Sequence, residues 1–289
     1  MNTSRVVAVG NWQRDSYASG DDSVAEEIPV ALTYNRLSHV VMMATPADLE
    51  DFALGFSLTE GIIGSKSDLL AIHVLPREGG IEVAMTIAEP WYARLATQRR
   101  NLTGRTGCGL CGAERIEQAL RYPTPVEDNV RVSHEALQHA LSAMQAHQPL
   151  QAVTGATHGA AWCSLEGAVL ALREDVGRHN ALDKLIGALV SSDFDPRCGF
   201  VLVSSRASYE MVFKAAAAGM ELLMAVSAPT SLAIDFAERC GVTLVGFARP
   251  GRHNIYTFAQ RIIPAARPGS HPGGPSRRIG QQATKEGRP

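Results

Sequence analysis

From residue 160 onward, short apolar runs alternate with amphipathic stretches of about ten residues. The runs at 200–204, 222–226 and 242–246 read as strands, and the stretches at 181–190, 209–218 and 231–240 read as helices. Gly219 and Gly241 sit just past two of these helices, where a left-handed C-cap favours glycine. A hairpin comes first, with strands at 160–164 and 168–172 around Glu166 and Gly167. Strand–loop–helix alternation of this kind predicts an α/β domain: a parallel sheet with helices on both faces.

The first half of the chain has a different rhythm. Two strands are predicted at 28–35 and 39–44, then a helix over 47–59 with Thr45 as N-cap and Pro46 at its start. That helix would bury Leu49, Phe52, Phe56 and Leu58, and Gly61 would end it. Strands at 69–75 and 81–87 follow, joined by the turn at 77–80. Ser133 is the predicted cap of a helix running to 144. Residues 1–24 are small and polar and read as a loosely ordered tail; 265–289, rich in Pro, Gly, Arg and Gln, reads as disordered. The proline-containing stretch at 122–125 divides the rest into a smaller N-terminal α+β subdomain (25–125) and a larger domain (126–264).

Composition narrows the class. With 45% apolar and 19% charged residues and a net charge of −2, the 289-residue chain has no global attraction for nucleic acid. No run approaches the roughly 18 apolar residues that span a bilayer, so no membrane partner is expected. The N-terminal residues lack the pattern of a signal peptide, and five cysteines are an odd count. Both point to a reducing cytoplasm.

Two of those cysteines, Cys108 and Cys111, lie in the glycine-rich run GRTGCGLCG (104–112), which suits neither helix nor strand. It predicts a mobile, exposed loop able to present a thiolate to a partner. A helix over 113–120 would set its positive end beside Cys111, and with Arg105 and Arg115 would favour the thiolate. Cys163, Cys198 and Cys240 read as small core or near-core residues, as do Trp162 and Phe213. Lys184 and Lys214 read as solvated helix lysines.

Four polar clusters follow predicted strands: EDVGRHN (174–180), SRAS (205–208), SAPT (227–230) and FARPGR (247–252). In an open α/β sheet they would share the carboxyl edge, where ligands bind. Asn180, Ser208 and Thr230 or Ser231 are candidate helix caps, and exposed helix N–H groups attract anions. Arg178, Arg206, Arg249 and Arg252 add guanidinium groups suited to phosphate, with His179 and Ser205 beside them. The implied ligand is large, phosphorylated and nucleotide-like.

Other thiol and metal chemistries fit poorly. Zinc needs further ligands at a matching spacing, and the remaining cysteines are solitary. A zinc deaminase would carry a glutamate two residues after its histidine, whereas His158 is followed by Gly-Ala. A thioredoxin-like motif would not lie among four glycines.

RTGCGLCG, EDVGRHNALDK, SSRASYEMVFKAAAAG and VSAPTSLAIDFAERCGVTLVGFAR, with a final NIYT, together resemble the formate dehydrogenase accessory sulfurtransferase family (FdhD type), over about 28–264. The resemblance implies a three-layer α/β/α main domain like that of cytidine deaminase, and a homodimer. It implies transfer of persulfide sulfur from a cysteine desulfurase to the molybdenum bis(molybdopterin guanine dinucleotide) cofactor, a bound substrate destined for formate dehydrogenase, with no catalytic metal of the protein's own. By motif, Cys108 would carry the persulfide. Cys111 would then either attack it, releasing sulfide, or only hold and tune it. Phe247, Ala248, Arg249, Pro250, Gly251 and Arg252 would bind the cofactor. The alternative is a cofactor-binding chaperone whose thiols do not turn over.

Overall fold

A computed structural model describes residues 1–100 and 122–264. The cysteine loop with Cys108 and Cys111, the helix expected over 113–120 and the C-terminal tail lie outside the described residues.

The chain opens on an antiparallel hairpin, β1 (Ser4–Gln13) and β2 (Ser16–Ala25), paired along its whole length. The expected loosely ordered tail over 1–24 is therefore corrected. Both faces of the ribbon meet solvent, with Val6, Trp12 and Tyr17 exposed, so it shows none of the apolar alternation that marks a half-buried strand.

Next come β3 (Ile28–Tyr34), β4 (Leu37–Ala44), α1 (Leu49–Thr59), β5 (Leu69–Arg77) and β6 (Gly80–Ile87), followed by α2 (Glu89–Arg100). The four strands form one sheet in the order β4-β3-β6-β5. Phe52, Ala53 and Phe56 of α1 bury against Val30, Leu32, Val83 and Met85 of that sheet. The helix starts two residues later than predicted, after Asp48, and Thr45 does not cap it. Thr45 instead turns to the other half of the molecule: its hydroxyl accepts from the Val176 N–H and its own N–H donates to Asp175.

The larger sheet has the order β13-β12-β11-β10-β8-β9. The elements that build this half, in chain order, are β7 (Val132–Ser133), α3 (His134–Met144), α4 (Pro149–Thr154), β8 (His158–Ser164), β9 (Val169–Asp175), α5 (Arg178–Ser191), β10 (Gly199–Val203), α6 (Tyr209–Ala217), β11 (Leu222–Ala225), α7 (Ser231–Cys240), β12 (Thr243–Arg249) and β13 (Arg252–Ile255). A two-residue β14 (Ile262–Ile263) pairs with β7. In this sheet only the pairs β10–β11 and β11–β12 are parallel; β9–β8, β8–β10 and β12–β13 are antiparallel, so the expected parallel sheet is mixed. Strand β10 is buried along its whole length. Val201 and Val203 meet Leu185, Met211 and Phe236 of α5, α6 and α7, while Phe200 and Leu202 meet Leu137 and Ala140 of α3. Alternate residues thus serve two apolar clusters, which is why the run lacks a polar face.

The two halves join where α1 crosses α5. A Cβ on Gly55 would lie 1.8 Å from the Asp183 carbonyl oxygen, and one on Gly187 1.9 Å from that of Asp51, so only glycine permits this approach. Charged groups line the crossing, and each is paired. Lys184, expected in solvent, is fully buried and reaches Asp175 at 2.7 Å and the Thr45 carbonyl at 2.9 Å. Lys214 is buried too, 3.0 Å from both Asp183 and Glu60. Burial opposes its charge, but Asp183 and Glu60 outweigh that and hold its pKa above the ordinary lysine value. Among the described residues no helix is long and apolar enough to cross a membrane.

Candidate functional site

Strands β9, β10, β11 and β12 all point the same way, so the four polar clusters share one sheet edge, as expected. Backbone bonds hold three of them side by side. The Ser227 N–H donates to the Ser205 carbonyl (3.3 Å), and the Phe247 N–H to the Ser227 carbonyl (3.1 Å). The Ala207 N–H donates to Ala228, and Thr230 donates back to Ala207.

Three helices start at this edge, and they start differently. At α7, the Thr230 hydroxyl accepts from the Ala233 N–H, an ordinary cap. Helix α5 begins after Gly177 and has no side-chain cap. Helix α6 begins after Ser208, which sits at the cap position without capping. Among the described residues its hydroxyl is buried with no hydrogen-bond partner, and so is Nε of Arg178 in the first turn of α5. An unpaired buried donor costs about 1–3 kcal/mol. Two of them between two uncapped helix starts describe a receptor for a group not made of protein, and the helix dipoles make that group an anion.

The charges agree. Burial and the nearby Arg206 both push Arg178 below its ordinary pKa, with Glu210 acting against them. His158, at the first residue of β8 opposite Asp175, is held below the usual histidine value by burial and then by Arg178. Burial and the Arg178 guanidinium thus both favour its neutral form, with Asp175 acting against them. His179 Nε2 lies 2.9 Å from the Glu210 carboxylate, and this contact is the main reason Glu210 titrates below its normal range. Glu210 offsets the repulsion between Arg178 and Arg206 only in part, and an anion bound there would offset the rest.

The basic turn after β12 completes the edge. Phe247 adopts a left-handed backbone conformation, with φ of 51°, and is exposed. Ala248 is buried, while Arg249, Pro250, Gly251 and Arg252 face solvent. One Arg249 Nη donates to the carbonyls of Val226 and Ala248, which ties the guanidinium to the ends of β11 and β12. An open groove of about 890 Å³ lies not in the centre of this edge but on the α3 side of the turn, lined by His134, Gln138, Gly251, Arg252 and His253 among others.

Several expectations need revision. Asn180 does not cap α5. It lies inside the helix, buried, and its amide donates to the Met43 carbonyl and to Asp175, so it positions the loop rather than facing a ligand. Ser205 is buried and its hydroxyl donates to the Arg206 carbonyl. Cys163 and Cys240 are core residues, and burial pushes the Cys163 thiol up to about 12, which keeps it protonated and inert. Cys198, by contrast, is exposed. His158, Glu210 and Gln138 were missed as contributors. A histidine at a strand start and a glutamine in an amphipathic helix carry no spacing signal.

Residues 25–263 match the model of the FdhD/NarQ family. The chain belongs to that family. It is 54% identical over 260 residues to a sulfur carrier protein FdhD of Cupriavidus necator, covering 90% of each chain. A protein of the same description from Bordetella petrii is 54% identical over 245 residues, 85% of this chain and 88% of that one. Among solved structures, a putative formate dehydrogenase accessory protein from Desulfotalea psychrophila superposes with a TM-score of 0.70 at 25% identity, over 91% of this chain and all of that one. The mixed α/β architecture is thus shared with that structure.

Proposed function

We propose that this protein accepts sulfur as a persulfide on Cys108 from a cysteine desulfurase and passes it to the molybdenum bis(molybdopterin guanine dinucleotide) cofactor used by formate dehydrogenase. The observation that carries the cofactor half of this reading is the pair of buried, partnerless donors, Arg178 Nε and Ser208 Oγ, between the uncapped starts of α5 and α6. The pyrophosphate of a guanine dinucleotide supplies the anion that such a site lacks. Arg206, Arg249 and Arg252 add charge along the same edge, which suits a substrate carrying two such dinucleotides. The name borne by the relatives, sulfur carrier protein, supports the sulfur half.

The first transfer balances without an oxidant. The Cys108 thiolate attacks the terminal sulfur of the desulfurase persulfide, a new S–S bond forms as the old one breaks, and the desulfurase thiolate leaves. A reducing cytoplasm keeps Cys108 available for the next round.

Incubation with a cysteine desulfurase and cysteine, followed by peptide mass spectrometry, tests this. Cys108 should gain one sulfur atom, about 32 Da, as a persulfide. In calorimetry the protein should bind GDP, and Arg249→Ala should bind it more weakly. GDP binding with no sulfur on Cys108 would favour a cofactor-binding chaperone instead.

A further inference from the structure

The basic turn at the end of β12 is held from behind by a residue on the other face of the sheet. The side-chain oxygen of Gln138, on α3, accepts the Gly251 N–H at 2.8 Å. Gly251 has φ of +77°, a conformation that L side chains rarely adopt, so this N–H direction belongs to the bend itself. With Oε1 committed to Gly251, the amide orientation is set, and Nε2 is the atom facing the Arg252 carbonyl (3.4 Å) and His253 Nδ1 (3.0 Å). His253 Nδ1 must then accept, which places its proton on Nε2, 2.9 Å from Nδ1 of His134. The two rings stack, with centroids 5.1 Å apart and planes 19° from parallel. Gln138 thus grips both sides of the turn, and the histidine pair holds the glutamine.

We propose that Gln138, backed by His253 and His134, is a positioning residue that fixes the Gly251–Arg252 turn in its ligand-binding shape. This rests on the reading of that turn as part of a nucleotide site. Gln138 need touch no ligand. It acts by holding the bend through which Arg249 and Arg252 are presented. Its geometry makes the grip sensitive to protonation: a proton on His253 Nδ1 would set a donor against the donor of Gln138. Among the described residues, the charged and titratable groups lining the groove around His253 are His134 and Glu135 on α3 and Arg252 beside it. Burial and the neighbouring His134 both favour neutral His253.

Calorimetric titration of the full-length protein with GDP, at several pH values between about 8 and about 5.5, a range spanning ordinary histidine titration, tests the proposal. Wild-type affinity should fall toward the acid end. Gln138→Met keeps the length but neither accepts nor donates, and it should weaken GDP binding about tenfold at the basic end, the loss of one or two hydrogen bonds. It should also flatten the profile. Gln138→Glu keeps the acceptor for Gly251 and turns a protonated His253 into a good donor, so its affinity should recover as pH falls, the reverse of wild type. Thermal melting of each variant reports folding separately. Equal affinity and the same pH profile in folded wild-type and Gln138→Met protein would overturn the positioning role. Absence of GDP binding in wild type at every pH would instead overturn the nucleotide reading on which it rests.

Discussion

The α1–α5 crossing and the carboxyl edge of the large sheet are built from the same stretch of chain, yet they treat polar groups in opposite ways. At the crossing, every buried charge of EDVGRHNALDK has a partner. Asp175 takes Lys184, Asn180 and two backbone N–H groups, and Asp183 takes Lys214 and Thr59. At the edge, Arg178 of the same motif keeps a buried donor unpaired and faces Arg206. Both arrangements cost desolvation. In the first the cost is offset within the protein, so the residues serve the fold. In the second it is offset only by something that arrives from solution, so the residues serve a ligand.

That contrast breaks down if substitutions in the two places behave alike. The largest effect should come from Lys184→Met, which strands the Asp175 carboxylate in the interior. Breaking a buried pair in this way costs about 3–5 kcal/mol, readable as a lower urea midpoint with an unchanged slope. Arg178→Ala should do the opposite: GDP affinity falls at least tenfold, as expected for a charge-assisted contact, while the melting temperature is no lower than wild type because the repulsion from Arg206 is relieved. A clear loss of stability in this variant would make Arg178 a structural residue. The smallest and sharpest comparison sets two cap positions side by side. Thr230→Ala removes a working cap and should cost about 1 kcal/mol of stability with GDP binding intact. Ser208→Ala removes a buried hydroxyl that caps nothing and has no partner, so stability should not fall and should rise by up to about 1–3 kcal/mol, while GDP binding weakens severalfold.

The contrast also explains what could be read from the chain in advance. Strands β10, β11 and β12 and helices α5 to α7 were legible because fully apolar runs between amphipathic stretches have few alternative structures. The sharing of one edge by four polar clusters followed from them. The N-terminal hairpin was not legible, since a ribbon wet on both faces has no periodic apolar signal. The β8–β9 hairpin was legible, but its antiparallel docking of β8 against β10 was not, because strand order depends on which edge a hairpin docks against and not on its own pattern. At the site, residue types were informative and partners were not. Asn180 and Ser208 both look like caps, yet one is consumed inside the fold and the other is left free.

Local chemistry, then, is written along the chain: which stretches bury, where helices begin, which loops carry arginine, and that two thiols sit among glycines. Tertiary structure decided the rest, namely which of those polar groups find partners. Arg178 and Lys184 lie less than two turns apart on one helix, and no local rule separates them. Lys184 meets the carboxylate that ends the preceding strand and the Thr45 carbonyl brought from the other half of the chain, and Arg178 faces an arginine from a neighbouring loop. Pairing is a long-range property, since it depends on what the folded chain places within hydrogen-bond reach, about 3 Å.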